Sequence, residues 1–139
     1  MDISTEIIPK QSLGGIAIGE QIDTVVSRLS KEYIVIKALN CAVINEGMVT
    51  AYYDDAGIIS SLSCNASFRG SYLNKLWAGM TVSELMRNST VQVAWAGYVK
   101  VDNVDGIGLL LPQAQDDFEN LLDEFDADHI FEELWIYKY

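Results

Sequence analysis

The feature that most constrains this chain is a series of short runs of β-forming residues, separated by tight-turn signals. Ala42 to Asn45 and Met48 to Asp54 flank Glu46-Gly47, and Ile58 to Cys64 follows the turn Asp54-Asp55-Ala56-Gly57. Val91 to Trp95 and Tyr98 to Asp102 come next, and Asn103-Val104-Asp105-Gly106 leads into Ile107 to Leu111, which Pro112 ends. Connections this short join antiparallel neighbours, because a parallel pair needs a crossover of a dozen residues or more. The pattern predicts an α+β fold, a mostly antiparallel sheet with two or three helices.

The predicted helices have distinct signals. Ile22, Val25, Val26 and Leu29 recur at helical spacing after Gly14-Gly15-Ile16-Ala17-Ile18-Gly19, whose Ile16 and Ile18 read as a short strand. Thr81-Val82-Ser83-Glu84 matches the capping box and predicts a short helix through Leu85 and Met86. Ala114, Phe118, Leu121, Leu122 and Phe125 mark the apolar stripe of a third, acidic helix, with Asp116 and Asp117 suited to its N-terminal end. Tyr33 to Leu39 and Ile130 to Tyr137 read as strands, and Asn65 to Ala78 as a loop. A faint repeat is visible: Gly19-x-x-Ile22-x-x-Val25-Val26 parallels Gly79-x-x-Val82-x-x-Leu85-Met86. Each copy is followed by strands and an Asp-to-Gly-Ile turn, so two α-then-β-hairpin halves sharing one sheet are expected.

Length and composition fit one domain over residues 1–139, with half of the residues hydrophobic and no linker-like stretch. The start Met1-Asp2-Ile3-Ser4-Thr5-Glu6 is not that of a secretory signal, and no apolar run approaches the roughly 20 residues of a membrane span. A cytoplasmic location is expected. Cys41 and Cys64 are then reduced thiols.

Twenty acids against nine bases give a net charge of −11. Such a chain repels nucleic acids and anionic membranes and attracts basic proteins. From Val101 to Tyr137 there is no Lys or Arg, and Asp116, Asp117, Glu119, Asp123, Glu124, Asp126, Asp128, Glu132 and Glu133 crowd one segment. A solvated helix face accounts for acids of this kind. A helix built for its own stability, however, gains from Glu–Lys pairs, and one-sign patches serve to steer partners of opposite charge. The turn acids Asp54, Asp55, Asp102 and Asp105 extend the expected acidic surface. Phe68, Tyr72 and Trp77, in the loop, are either core residues or interface anchors.

Signs of catalysis are few. His129 is the only histidine, and its acidic neighbours favour the imidazolium, a poor base. Adjacent carboxylates such as Asp54-Asp55 diverge on strand or helix and form no ready dyad. Asp102-Asn103-Val104-Asp105-Gly106 fails the calcium-loop spacing, and the glycines before Gly19 lack a phosphate-loop ending. No cofactor, metal or catalytic residue is expected, and the chain reads as a binder rather than an enzyme. The alternatives are a small-ligand or catalytic domain using His129 or Cys64, or a homo-oligomeric structural protein pairing edge strands near Ile130 to Tyr137.

Four segments together resemble the immunity proteins of bacterial polymorphic toxin systems, notably those of contact-dependent growth inhibition. They are Gly15-Ile16-Ala17-Ile18-Gly19, Trp77-Ala78-Gly79-Met80-Thr81-Val82, Gly106-Ile107-Gly108-Leu109-Leu110-Leu111-Pro112 and Glu133-Leu134-Trp135-Ile136-Tyr137. The resemblance implies a protein, monomeric or weakly dimeric, that binds and neutralises the toxin domain of a cognate effector. That domain is often a basic nuclease, commonly one that attacks tRNA.

Overall fold

Asn, Asp and Gly tolerate the left-handed backbone that tight hairpins require, and the chain uses them at its corners. The computed structural model describes residues 3–138. Asn45 and Glu46 (φ 47° and 60°) turn strand β5 (Cys41–Ile44) into β6 (Val49–Tyr53). Asp102 and Asn103 (φ 49° and 60°) turn β9 (Tyr98–Val101) into β10 (Ile107–Leu110). With β4 (Val35–Lys37), β7 (Ile59–Cys64), β8 (Gln92–Trp95) and β11 (Leu134–Tyr137), these strands form one eight-stranded antiparallel sheet, ordered β4-β5-β6-β7-β11-β10-β9-β8.

The order is that of two four-stranded meanders joined at their last strands. Helix α1 (Ile22–Leu29) precedes the first and α2 (Val82–Asn88) the second, so the glycine-to-helix part of the faint repeat is a repeat of structure; the Asp-to-Gly-Ile turns do not correspond, since Asp54–Gly57 joins the third and fourth strands of its half and Asp102–Gly106 the second and third. Backbone bonding confirms it in detail. Gly19 N–H donates to Ile59 O (2.8 Å), Ile59 N–H to Glu20 O (2.9 Å) and Ile22 N–H to Gly57 O (2.8 Å). In the second half Gly79 N–H donates to Phe131 O (2.7 Å), Phe131 N–H to Met80 O (2.8 Å) and Val82 N–H to His129 O (3.0 Å). At the central seam Leu62 pairs with Ile136, and Leu134 pairs with Cys64. Exchanging the halves maps each of these pairs onto the other and leaves Ser63 opposite Trp135 on the pseudo-two-fold axis.

Alternation along the strands sends one set of side chains toward the helices. Leu62, Leu134, Ile136, Ile107, Leu109 and Val99 are fully buried on that side. They join Ile22, Val25 and Leu29 of α1 and Val82 and Leu85 of α2 in a single core. The Thr81 hydroxyl accepts from Glu84 N–H and the Glu84 carboxylate accepts from Thr81 N–H, which realises the expected capping box. The N-terminal strands β1 (Ile7–Ile8), β2 (Ser12–Leu13) and β3 (Ile16–Ala17) make a small separate sheet, whose Ile7, Leu13 and Ile16 enter the same core. Only the last of these strands is legible in the sequence.

Two expectations need correction. The long acidic helix is absent: Gln113–Gln115 form a single 3-10 turn, and α3 spans only Leu121–Glu124. Along a continuous helix Glu119 would face Asp123, and Glu124 would face Asp128, with no Lys or Arg to offset the repulsion. Asn120 instead caps the short α3 by accepting from Leu122 N–H (3.1 Å), and Asp117 accepts from Phe118 N–H (2.9 Å). Phe118, Leu121 and Phe125 are buried as the stripe predicted, whereas Leu122 is exposed. The second correction concerns Ile130 to Tyr137. Its strand, β11, is central and bonded on both sides by β7 and β10, so it offers no edge for pairing with a second copy. The edges are β4 and β8.

Candidate binding face

The strand residues pointing away from the helices make a second surface, which α1, α2 and the small sheet leave uncovered. In the first half this face is mostly small or polar, with Cys41, Val43 and Ser61 half-buried and Thr50 and Ser63 buried, but it also carries Tyr52. In the second it is aromatic. Tyr52 stacks on Trp135 with ring centroids 4.5 Å apart, and Tyr98 lies 6.0 Å from Trp135 and 4.8 Å from Tyr137. Trp95 stacks on Tyr137 at 5.7 Å. A continuous row of rings thus runs from β6 to β8. Strand register builds it: Trp135 and Tyr137 are alternate residues of β11, and Trp95 faces Tyr98 across a hairpin. Gly108 makes room, since a side chain there would meet Tyr98 Cβ at 2.8 Å and the Tyr137 hydroxyl at 3.1 Å.

Polar groups border the row. Glu133 accepts the Trp135 indole N–H at 3.1 Å. Lys100 Nζ lies 5.9 Å from the Trp95 ring centroid and pairs with Asp105. Burial pushes the Tyr52, Tyr98 and Tyr137 hydroxyls above their ordinary ionisation range, and nearby negative groups, Glu133 beside Tyr52 and Tyr98 and Asp105 beside Tyr137, add to the rise. Two grooves flank Glu132 and Glu133. One, of about 630 Å³, is lined by Tyr52, Ser63, Glu46 and both glutamates; the other, of about 480 Å³, by Leu110, Pro112, His129 and both glutamates.

The acids do not form one face. Asp116, Asp117, Glu119, Asp123, Glu124, Asp126, Asp128 and Glu132 are exposed in the β10–β11 connection, at the sheet end where Leu134 meets Cys64. The Asp54–Gly57 and Asp102–Gly106 turns lie at the opposite end, where Tyr137 bonds to Gly106. Most of the turn acids also have local partners. Asp54 accepts from Ala56 and Ile58 N–H, and Asp105 pairs with Lys100, while Asp55 is simply exposed. Asp102 accepts from Thr90 and Val91 N–H at 2.8 Å each and pairs with Lys75 at 2.6 Å, interactions that hold its carboxyl down at about 2.

The three loop aromatics pack inward. Phe68 is buried in the core, and Tyr72 and Trp77 are half-buried against it. Trp77 N–H donates to the Met80 sulfur at 3.5 Å. The rings that face outward, Tyr52, Trp95, Tyr98, Trp135 and Tyr137, are not among the anchors expected from the sequence. The available signal was aromatic alternation: Trp135-x-Tyr137, and Trp95 and Tyr98 bracketing Ala96-Gly97.

Cys64 is buried, which pushes its thiol up to about 12, and at neutral pH it stays protonated and a weak nucleophile. His129 packs between Phe125 (4.7 Å) and Phe131 (5.2 Å). Among the described residues no group of three or more His, Cys, Asp or Glu side chains could hold a metal ion, and no helix is long and apolar enough to cross a membrane.

The fold is a tandem pair of α-β-β-β-β repeats sharing one antiparallel sheet, with helices on one side and an aromatic row on the other. Comparison with protein-family models, with curated proteins and with solved structures found no match.

Proposed function

We propose that this protein binds and neutralises the toxin domain of a bacterial effector, a basic domain and by family resemblance a nuclease. The observation that supports this most is the uncovered aromatic row beside a base-free acidic segment. Stacked, half-exposed Tyr and Trp rings are of the kinds that dominate binding hot spots. The acids at one end of the sheet, alongside the row, supply the field that draws a positively charged partner and raises the rate of encounter. Rings then set how long the complex lasts. The acidic segment stands in for nucleic-acid phosphates over a basic cleft. Asp54 and Asp55, at the far end of the sheet, and Asp102, engaged in its own corner, contribute least to that contact.

The test is co-expression with the C-terminal domain of the effector encoded beside this gene. The two chains should co-purify, and the protein should protect cells from that domain. Association should slow about tenfold or more between low salt and about 0.5 M salt. A rate that does not change removes the electrostatic part of the proposal, and failure to protect removes the whole.

A further inference from the structure

The aromatic row already holds one cation. Lys100 sits over the Trp95 ring while the Asp105 carboxylate pairs with its ammonium. A ring face and a carboxylate together favour a positive group, because the ring's quadrupole attracts the charge and the carboxylate accepts its hydrogen bonds. The other end of the row carries the same two ingredients and no cation. Tyr52, stacked on Trp135, walls the 630 Å³ groove, Glu46, Glu132 and Glu133 border it, and no Lys or Arg lines it. Lys75 pairs with Asp102 and Lys100 with Asp105, and Arg69 lines a neighbouring groove.

We infer that this groove seats an arginine side chain presented by a basic protein partner, its guanidinium against Tyr52 and its N–H groups on Glu132 and Glu133. Arginine fits better than lysine, since its planar guanidinium stacks on a ring and still presents edge donors to two carboxylates. Glu133 is held in place for the purpose by the Trp135 indole N–H. This rests on the binder reading above and names the chemistry of its contact.

The probe is a short blocked tetra-arginine peptide, with tetra-lysine for comparison, titrated into the full chain while the Trp135 indole N–H resonance is followed. The Trp135 resonance should shift, and the arginine peptide should bind at least about threefold more tightly than the lysine peptide. Glu132→Gln with Glu133→Gln should weaken binding about tenfold or more, as losing charge on two hydrogen-bond acceptors predicts. Tyr52→Leu, which keeps the carboxylates, should abolish the preference for arginine. Asp116→Asn with Asp117→Asn should change little. Equal losses from both carboxylate pairs, equal affinity for the two peptides, or a silent Trp135 would overturn the inference. So would a Trp135 shift produced by protein concentration alone, which would mean that a second copy takes the groove.

The two proposals fail differently. A chain that captures the effector domain equally well with Glu132→Gln and Glu133→Gln keeps the neutralising role and loses the groove. A chain that seats the arginine peptide but captures no effector domain keeps the groove and loses the toxin.

Discussion

The two repeats have the same backbone and opposite surfaces. Ala42 and Val99, Val49 and Ile107, and Leu62 and Leu134 occupy matching positions on the helix side, and all are buried. On the other side Cys41 matches Tyr98, Val43 matches Lys100, and Ser61 matches Glu133. The connections before the last strands differ even more. A four-residue turn at Asp54 to Gly57 serves the first repeat, and the whole acidic segment from Leu111 to Glu133 serves the second. Folding constrains the helix side and the hairpin corners, so both repeats retain them. The outer face and one connection are released from that constraint, and there the second repeat carries most of the rings and the acidic segment, with Tyr52 the ring of the first repeat that joins the row.

The sharpest test of that equivalence is at the seam. Leu62 and Leu134 are each fully buried and exchange under the pseudo-two-fold axis. Leu62→Ala and Leu134→Ala should each cost about 2–5 kcal/mol in urea unfolding, lost transfer energy plus the cavity left behind. A large cost at one position and a cost below about 1 kcal/mol at the other would mean that the halves share a backbone and not a core.

How far the sequence discloses this scaffold depends on how local each signal is. The central hairpins are legible because their corners carry Asn, Asp and Gly within the turn itself. Even the repeat shows through Gly19 and Gly79, since both begin the same backbone exchange, Gly19 with the first residue of β7 and Gly79 with Phe131 just before β11. The strands β1 and β2 are two residues each and depend on tertiary contacts, so no window of sequence marks them. The acidic segment mimics a helix in sequence because Phe118, Leu121 and Phe125 are buried at helical spacing, while like charges oppose a continuous helix between them. Reading the aromatic row requires cross-strand register: Tyr52 and Trp135 lie far apart in sequence and meet only because β7 and β11 close the sheet.

The matching glycines give a smaller and more discriminating effect. Gly19 and Gly79 have φ of 97° and 93°, where a side chain is strained. Around Gly19 a new Cβ meets nothing within 4 Å, whereas at Gly79 it meets Ala66 Cβ at 2.9 Å. Gly19→Ala should cost roughly 1–2 kcal/mol of backbone strain. Gly79→Ala should cost about 1 kcal/mol more from overpacking. Adding Ala66→Gly should remove the excess at Gly79 and do nothing for Gly19→Ala. Equal costs in the single variants would break the account.

The smallest effect compares two corners. Asn45 Oδ1 accepts from Ile34 N–H at 2.9 Å, and at the matching corner Asp102 Oδ1 accepts from Val91 N–H at 2.8 Å. The first repeat therefore makes its corner with a neutral amide. Asp102→Asn should preserve the geometry and lose only the charge interaction with Lys75, less than about 1 kcal/mol at pH 7. Its signature lies in acid. The Asp102 carboxyl, held at about 2 chiefly by Lys75 and then by the Val91 amide, ionises more readily folded than unfolded. Its contribution is complete above the unfolded value near 3.8 and disappears as pH falls through about 2. Thermal melts from pH 5 to pH 2 should show a shallower decline for Asp102→Asn than for the parent. Parallel declines would mean that Lys75 and the two amides do not distinguish the acidic corner from its neutral twin.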